Sequence, residues 1–218
     1  MKYDELNAEA KEVAMCMYGD FLAKANDWWT PLMDELEDEL VNDYGLRNVK
    51  VEFVFEDADG KAPQFTQNNT VLLHLSDESL SEKMFAAFED IGTADEFVND
   101  LASKFKVPAK FIPELKQALR SATLNGDVGI TNPTGVKVNL KELYNAVRDH
   151  STADELDAGD LREELNFIEY NVNYTLYERT RQFYSDLAEE WSQLYTEDGL
   201  REAEEANGWE FGADGEFA

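Results

Sequence analysis

Carboxylates are the side chains that could do chemistry most readily in this sequence, and they are densest in one short stretch. The segment "TPLMDELEDELVNDYG", residues 30–45, places six acidic side chains within positions 34–43. Paired carboxylates act as the acid and the base of glycoside hydrolysis, provided that their environments push their pKa values apart. Spacing alone does not reveal such environments, so a carboxylate-based enzyme stays open as the third of three functions considered below.

Histidine and calcium-loop patterns are the next candidates for chemistry. His74 lies in an apolar stretch and His150 follows Asp149, so the two histidines share no context, and we interpret both as structural residues. The segment "EDADGK", residues 56–61, resembles the start of a calcium loop, but it runs into Pro63 without the late glutamate that such loops need. An Asp-Gly turn between two strands accounts for the same residues.

Sequence motifs of known catalytic centres are absent. The sequence contains no H-E-x-x-H, no CxxC, no G-x-S-x-G, no P-loop and no G-x-G-x-x-G that opens a helix after a strand. We therefore predict no catalytic residue, no cofactor site, no metal site and no enzymatic activity.

Composition indicates one folded domain with a large negative charge. The 218 residues carry a net charge of −28, yet 43% are hydrophobic and 12% are aromatic, which is unlike a disordered acidic tail. We predict a single domain over residues 1–207, followed by an acidic and aromatic tail over residues 208–218. The single cysteine, Cys16, and the lack of a signal peptide or an apolar run near 18 residues predict a cytoplasmic protein, in the host-cell cytoplasm if it is viral.

Hydrophobic periodicity predicts an α+β fold that is predominantly helical, with a small antiparallel sheet built from hairpins and a long C-terminal helix. Strand patterns occupy residues 49–57 and 70–76, and a hairpin pattern occupies residues 128–139. Helical patterns occupy residues 4–25 and 30–44, start near Ser79 and at the "TADE" capping box of Thr93, and run from about Pro113 to Gly126 and from Asn139 to Arg148. On the first helix we expect Leu6, Ala10, Val13, Met17, Phe21 and Leu22 to share the buried side.

The longest helical pattern runs from about residue 160 to residue 195 and has two apolar faces. The first stripe consists of Leu161, Leu165, Ile168, Val172, Leu176, Phe183 and Leu187. The second consists of Phe167, Tyr170, Tyr174, Tyr177 and Tyr184. Two apolar faces indicate a helix that is either central to the fold or shared with another chain. A homodimer through Tyr170, Tyr174 and Tyr177 is therefore one predicted partnership.

Negative charge concentrates at the two ends of the chain. Residues 1–47 carry 12 acids and 4 bases, and residues 152–218 carry 19 acids and 4 bases, whereas the middle carries 16 acids and 11 bases. Such a field repels nucleic acid and anionic membranes, so we predict neither direct nucleic-acid binding nor membrane binding. It attracts basic protein surfaces.

The acids form strips on two predicted helices. Asp34, Glu35 and Asp38 fall opposite the apolar side of the first acidic helix, flanked by Glu37 and Glu39. An outer strip of the long helix holds Glu164, Asn171, Glu178, Gln182 and Glu189, and we expect no basic row to face either strip. The basic segment 103–121 is interpreted as pairing with acids inside the protein, with a phosphate contact as the alternative.

Rows of helical carboxylates can stand in for the phosphates of a duplex, because backbone recognition depends mostly on charge. In charge and helicity, the two ends of the chain resemble the small acidic DNA-mimic inhibitors that phages and mobile elements use against restriction and other defence enzymes. The resemblance implies a protein-binding inhibitor that occupies a basic nucleic-acid-binding groove. A virus-particle assembly protein is the alternative, and an acidic surface that serves only solubility is the plainest interpretation.

The predicted partner-binding residues follow from these strips and from the tail. They are Asp34, Glu35, Asp38, Glu39, Glu164, Glu178, Glu189, Trp209 and Phe211. The two aromatic residues lie among acids in the tail, where a docking peptide and an ordinary frayed terminus are both compatible with the pattern.

Overall fold

The computed structural model describes residues 1–25, 28–55, 65, 70–88, 91–130, 135–153 and 156–218. The helices are α1 (Ala8–Lys24), α2 (Thr30–Asn42), α3 (Glu82–Ala86), α4 (Ala94–Lys104), α5 (Ile112–Arg120), α6 (Lys141–His150), α7 (Ala158–Leu194) and α8 (Glu197–Asn207). The strands are β1 (Val49–Val54), β2 (Thr70–Ser79), β3 (Thr123–Gly129) and β4 (Gly135–Asn139), in an antiparallel sheet of order β1-β2-β3-β4. This confirms the predicted α+β class, its small sheet and its long C-terminal helix.

The chain divides into two compact units that interleave in sequence. Unit 1 comprises Met1–Asp34, Phe53–Thr70 and Gln182–Ala218, and unit 2 comprises Glu35–Glu52 and Val71–Arg181. Both α2 and α7 therefore contribute residues to each unit. The prediction of one domain over residues 1–207 with a separate tail stays a prediction.

The core of unit 2 lies on one face of the sheet. Alternate residues of β2, namely Val71, Leu73 and Leu75, are buried, as the period of a half-buried strand requires. The alternation breaks at a bulge before Glu78, whose carboxylate is also buried. That carboxylate accepts backbone N–H groups from Arg47 at 2.6 Å, Asn48 at 2.5 Å and Ser79 at 3.0 Å. The buried acid thus anchors the segment that enters β1 to the bulge of β2.

Side chains of α7 cover the backbone of the edge strand β4. The Asn173 amide oxygen accepts the Val136 N–H at 2.6 Å, and its amide nitrogen donates to the Val136 carbonyl at 2.8 Å. The Glu169 carboxylate accepts the Val138 N–H at 3.1 Å. These bonds replace those of a further strand, so an edge that could pair with another chain is closed.

The segment after Pro113 differs from its prediction. The expected helix to Gly126 was wrong, since α5 ends at Arg120 and β3 begins at Thr123. Asn-Gly is typical of helix ends and turns, but Gly126 sits inside β3 with φ of +131°. A Cβ atom there would lie 2.6 Å from the carbonyl oxygen of Gly135, so the glycine permits close approach of β4.

The helix over residues 139–148 starts differently from its prediction. Asn139 is the last residue of β4, and Leu140 occupies the N-cap without a side-chain hydrogen bond. Glu142 instead accepts the Ser121 hydroxyl at 2.6 Å. Glu142 lies three residues after Asn139, which is the spacing of a capping box, but a tertiary contact binds its carboxylate instead.

The inward stripe of α7 is confirmed throughout. Within unit 2, its buried members are Leu161, Leu165, Ile168, Val172 and Leu176. Within unit 1, they are Phe183 and Leu187, and Trp191 extends the stripe.

Unit 1 has its own aromatic core. The buried side of α1 consists of Ala10, Ala14, Tyr18, Gly19 and Leu22. The prediction placed Phe21 on that side, but the ring is 40% exposed, because Tyr18 and Ala14 face the core instead. Tyr18 stacks on Tyr195 with ring centres 6.4 Å apart, and its hydroxyl donates to the Leu194 carbonyl at 3.2 Å.

Parts of some predicted features lie outside the described residues. These are the calcium-like segment 56–61 and most of the turn of the 128–139 hairpin. No helix within the described ranges is both long enough and apolar enough to cross a membrane.

The capping box at the start of α4 is confirmed and can be tested by titration. The Glu96 carboxylate accepts the backbone N–H of Thr93 at 2.8 Å and its hydroxyl at 2.9 Å, and these bonds lower the pKa of Glu96. The cap therefore stabilises α4 fully above the ordinary glutamate range, and it loses that contribution as pH falls through the lowered pKa. In Thr93→Ala we expect the pKa of Glu96 to rise part of the way back, measured by carbon NMR titration, whereas Ser103→Ala should leave it unchanged.

Removal of the Asn173 amide should destabilise the protein through the edge strand. In Asn173→Ala, the N–H and carbonyl of Val136 lose their α7 partner, which should cost roughly 1–3 kcal/mol in the free energy of unfolding by urea. Asn166 is exposed on the same helix, so Asn166→Ala should cost no more than about 0.5 kcal/mol. Equal costs for the two variants would contradict the edge-covering role.

Candidate protein-binding faces

The α2 residues of unit 2 present carboxylates on a face whose opposite side is buried. Leu36 and Leu40 are fully buried, whereas Glu35 and Asp38 are exposed. Among the residues that the structure describes, neither carboxylate has a basic partner within ion-pair distance. The helix therefore holds two unneutralised carboxylates in fixed positions toward solvent. The fourth acid predicted on this helix, Glu39, is described below, and Asp34 is exposed and belongs to unit 1.

Glu39 is neutralised within unit 2. Its carboxylate binds the guanidinium of Arg179 through two hydrogen bonds, one of them 2.6 Å from Nε to Oε1. The side chains are 29% and 18% exposed, respectively, so this two-pronged pair is largely shielded from solvent. It joins α2 to α7 and fixes the rotation of the α2 face.

Two further predicted carboxylates also have basic partners. Glu164 pairs with Lys104 of α4, and this bond raises the pKa of Lys104. Glu178 pairs with Arg181 at 2.7 Å, and their hydrogen bond raises the pKa of Arg181. We expected no row of basic side chains to face either strip. Single bases nevertheless pair with Glu164 and Glu178 of the long-helix strip and with Glu39 beside the α2 strip. Asn171, assigned to the outer strip, is buried, and its amide donates to the Phe167 carbonyl at 2.8 Å.

Three of the five bases in segment 103–121 pair with acids inside the protein, as interpreted from the sequence. Besides Lys104, Lys116 lies 2.7 Å from Asp95 and Arg120 lies 3.1 Å from Glu82. These three bases are occupied by acids of unit 2, which favours internal neutralisation over a phosphate contact.

An aromatic ladder runs along the exposed side of α7 in unit 2. Phe167, Tyr170 and Tyr174 are 42%, 62% and 45% exposed. Successive ring centres lie 6.4 and 6.2 Å apart, with interplanar angles of 6° and 14°. At its Tyr174 end, an open cavity of about 220 Å³ is lined by Val128, Gly135, Tyr170, Asn173, Tyr174 and Tyr177. Three parallel exposed rings present a rigid apolar surface.

The tail residues lie in unit 1. Phe211 is buried, and its backbone bonds to Met1, with the N-terminal amine donating to the Phe211 carbonyl at 2.8 Å. Trp209 is half-buried, with its ring 4.8 Å from those of Phe21 and Phe217. Phe211 is therefore a core residue here, and Trp209 offers only part of its ring. Glu189 is exposed on α7.

The histidines occupy separate polar sites in unit 2. His74 lies on the outer face of the sheet between two carboxylates, with Nδ1 2.8 Å from Asp127 and Nε2 3.2 Å from Glu52. His150 stacks on Phe111 at 3.8 Å between ring centres and lies 3.0 Å from Glu114. Within the described part of the chain, no group of three or more His, Cys, Asp or Glu side chains could hold a metal ion.

Comparisons with known proteins return no match to any family model, to any curated protein or to any solved structure.

The Glu39–Arg179 pair should show strong energetic coupling. In a double-mutant cycle of Glu39→Gln and Arg179→Met, measured by urea unfolding, we expect a coupling of roughly 1–3 kcal/mol, because charged hydrogen bonds shielded from water are strong. A matched cycle with Glu178→Gln and Arg181→Met should give a much smaller coupling, since that pair is exposed. Similar coupling in both cycles would contradict a structural role for the first pair.

Proposed function

We propose that this protein is a non-enzymatic, acidic protein-binding protein, an inhibitor that occupies the basic nucleic-acid-binding groove of another protein. In this role its helical carboxylates stand in for DNA phosphates. The proposed inhibitor is of the type that phages and mobile elements direct against host defence proteins. Its partner is a basic protein surface, and nucleic acid itself is not bound.

The observation that carries the proposal is the exposed α2 face of unit 2. Glu35 and Asp38 point away from buried Leu36 and Leu40 and have no basic partner among the described residues. Elsewhere in unit 2, acids such as Glu39 and Glu164 are paired with bases. A groove lined with arginine and lysine would supply the missing counter-charges.

Electrostatics favours such a complex in two ways. Glu35 and Asp38 are i,i+3 neighbours on one helix, and like charges in that relation repel each other at a cost of roughly 0.2–0.5 kcal/mol, which a basic partner reduces. The net charge of −28 also steers the protein toward basic surfaces over long range. Both effects weaken as salt screens the charges, so affinity for the partner should fall steeply with ionic strength.

The test is a pull-down from cell lysate on immobilised protein, eluted first with a salt gradient and then, separately, with duplex DNA. We expect a nucleic-acid-binding protein that elutes at high salt and is displaced by the duplex. The variant Glu35→Gln/Asp38→Asn should release it at markedly lower salt. The control Asp77→Asn/Asp100→Asn removes the same number of exposed charges from unit 2 outside α2 and should elute like the wild type.

Three results would count against the proposal. They are capture of no nucleic-acid-binding protein, equal loss in the α2 variant and its control, and binding that DNA does not displace. The second result would mean that binding depends on the overall negative charge and not on the α2 face, as expected of an acidic surface that serves only solubility.

A further inference from the structure

The aromatic ladder belongs to a longer pattern along α7. One face of α7 that includes the three rings consists, in chain order, of Glu163, Phe167, Tyr170, Tyr174, Tyr177 and Arg181. Successive members are separated by four, three, four, three and four positions. Alternating steps of three and four keep side chains on one seam of a helix, the spacing by which two helices pack along each other. All six residues belong to unit 2. In a pair of packed helices these positions are usually aliphatic, whereas in α7 four of the six are aromatic. We call these six residues the seam of α7.

The seam is exposed although it is apolar. Its three stacked rings are 42–62% exposed, Tyr177 is half-buried, and Glu163 and Arg181 are exposed at its two ends. Large exposed apolar surfaces mark sites where another molecule binds. The seam of α7 is distinct from the buried stripe through Leu165, Ile168 and Val172 on the other side of the helix.

The seam is complementary to a second copy of itself that runs in the antiparallel direction. A two-fold axis at the level of Val172 would place Tyr170 opposite Tyr174 and Phe167 opposite Tyr177 of a second copy. The same axis places Glu163 opposite Arg181 at each end. The guanidinium of Arg181, which also binds Glu178 of its own helix, there meets a carboxylate of the second copy. A parallel arrangement would instead set Glu163 against Glu163 and Arg181 against Arg181.

We propose that two copies of this chain form an antiparallel dimer in which α7 packs against α7 along this seam. The occupant of the seam is therefore a second copy, chosen by charge complementarity at both ends. A contact of this kind is isologous, the commonest form of homodimer interface. The cavity of about 220 Å³ beside Tyr177 lies where the axis would bring the second copy's Phe167, which gives that ring a place to insert.

The local charge around the seam is small, so electrostatic repulsion between two copies is weak there. Two copies with a net charge of −28 repel each other, but residues 161–181 carry 4 acids and 3 bases. Residues 182–218, by contrast, carry 11 acids and 1 base. The seam therefore lies in a nearly neutral part of an acidic protein, where two copies approach at a lower electrostatic cost than along residues 182–218.

The dimer does not depend on the proposed inhibitor function, and salt separates the two. Screening weakens a complex between an acidic face and a basic groove, whereas it reduces the long-range repulsion between two equally acidic copies. Dimerisation should therefore persist at salt concentrations that abolish binding of a basic partner. Failure of either interaction leaves the other open to its own test.

Charge reversal tests the antiparallel register. By sedimentation at about 150 mM salt, we expect the wild type to approach twice its mass of 24.8 kDa as concentration rises. Glu163→Arg and Arg181→Glu should each raise the dimer dissociation constant about tenfold, because like charges then meet at both ends. The double variant should recover the wild-type constant. The two single changes shift net charge in opposite directions, so equal weakening cannot come from overall charge.

The outcomes are decisive in each direction. A wild type that stays monomeric up to about 100 μM, well above the dissociation constants of most specific complexes, would overturn the proposal. So would single reversals that leave the dimer unchanged, which is the result expected of a parallel pair. A double variant that stays as weak as the singles would also overturn it. Circular dichroism of each variant verifies folding, and Tyr170→Ser, which shortens an exposed side chain, should weaken the dimer without altering the helical signal.

Discussion

Burial of the inward stripe of α7 is the constraint on which the rest of the described structure depends. In unit 2, Leu161, Leu165, Ile168, Val172 and Leu176 are buried along one side of the helix. Burial of a leucine or isoleucine side chain contributes about 1.5–3 kcal/mol, so the rotation of α7 about its axis is strongly fixed. With that rotation set, Asn173 and Glu169 reach the edge strand β4, and Phe167, Tyr170 and Tyr174 are left toward solvent. The covering of β4 and the exposure of the aromatic ladder therefore both follow from the orientation in which α7 packs.

Polar groups complete what apolar burial begins. The buried Glu78 carboxylate accepts three backbone N–H groups, and the Asn173 side chain takes both backbone groups of Val136. Each bond satisfies a group that would otherwise be costly to bury or would leave an open sheet edge. The sheet is thereby closed on the β4 side by side chains. Its core face carries the Glu78 carboxylate, which is held by backbone N–H groups.

Acidity has two roles in this protein. Some carboxylates are structural, such as Glu39 with Arg179 and Glu164 with Lys104, and they join helices of unit 2. Others, such as Glu35 and Asp38, are held outward on α2 with no base near them in the described chain. The few basic side chains pair with the structural carboxylates. The outward carboxylates on α2 therefore form a surface with net negative charge. In the proposed function that surface meets a basic groove, while the neutral seam of α7 meets a second copy.

Local patterns determined much of the fold. Alternation located β1 and β2, although β1 ends at Val54 and β2 continues to Ser79, where a helix was expected to start. The capping box of Thr93 predicted the start of α4, and the 3.6-residue period predicted the length and the buried side of α7. These features depend on neighbours in sequence, so the sequence alone could predict them. The same reasoning failed at Gly126, where the approach of β4 converts an apparent helix end into strand.

The sequence by itself determined that this is an acidic α+β protein with a long two-faced helix and concentrated carboxylates. Only the tertiary structure decided which carboxylates are neutralised, because Arg179 reaches Glu39 across 140 positions of sequence and Lys104 reaches Glu164 across 60. It also decided that Phe211 packs in a core and that the aromatic face of α7 stays exposed. Charge is a property of composition, but its pairing depends on distances that folding sets.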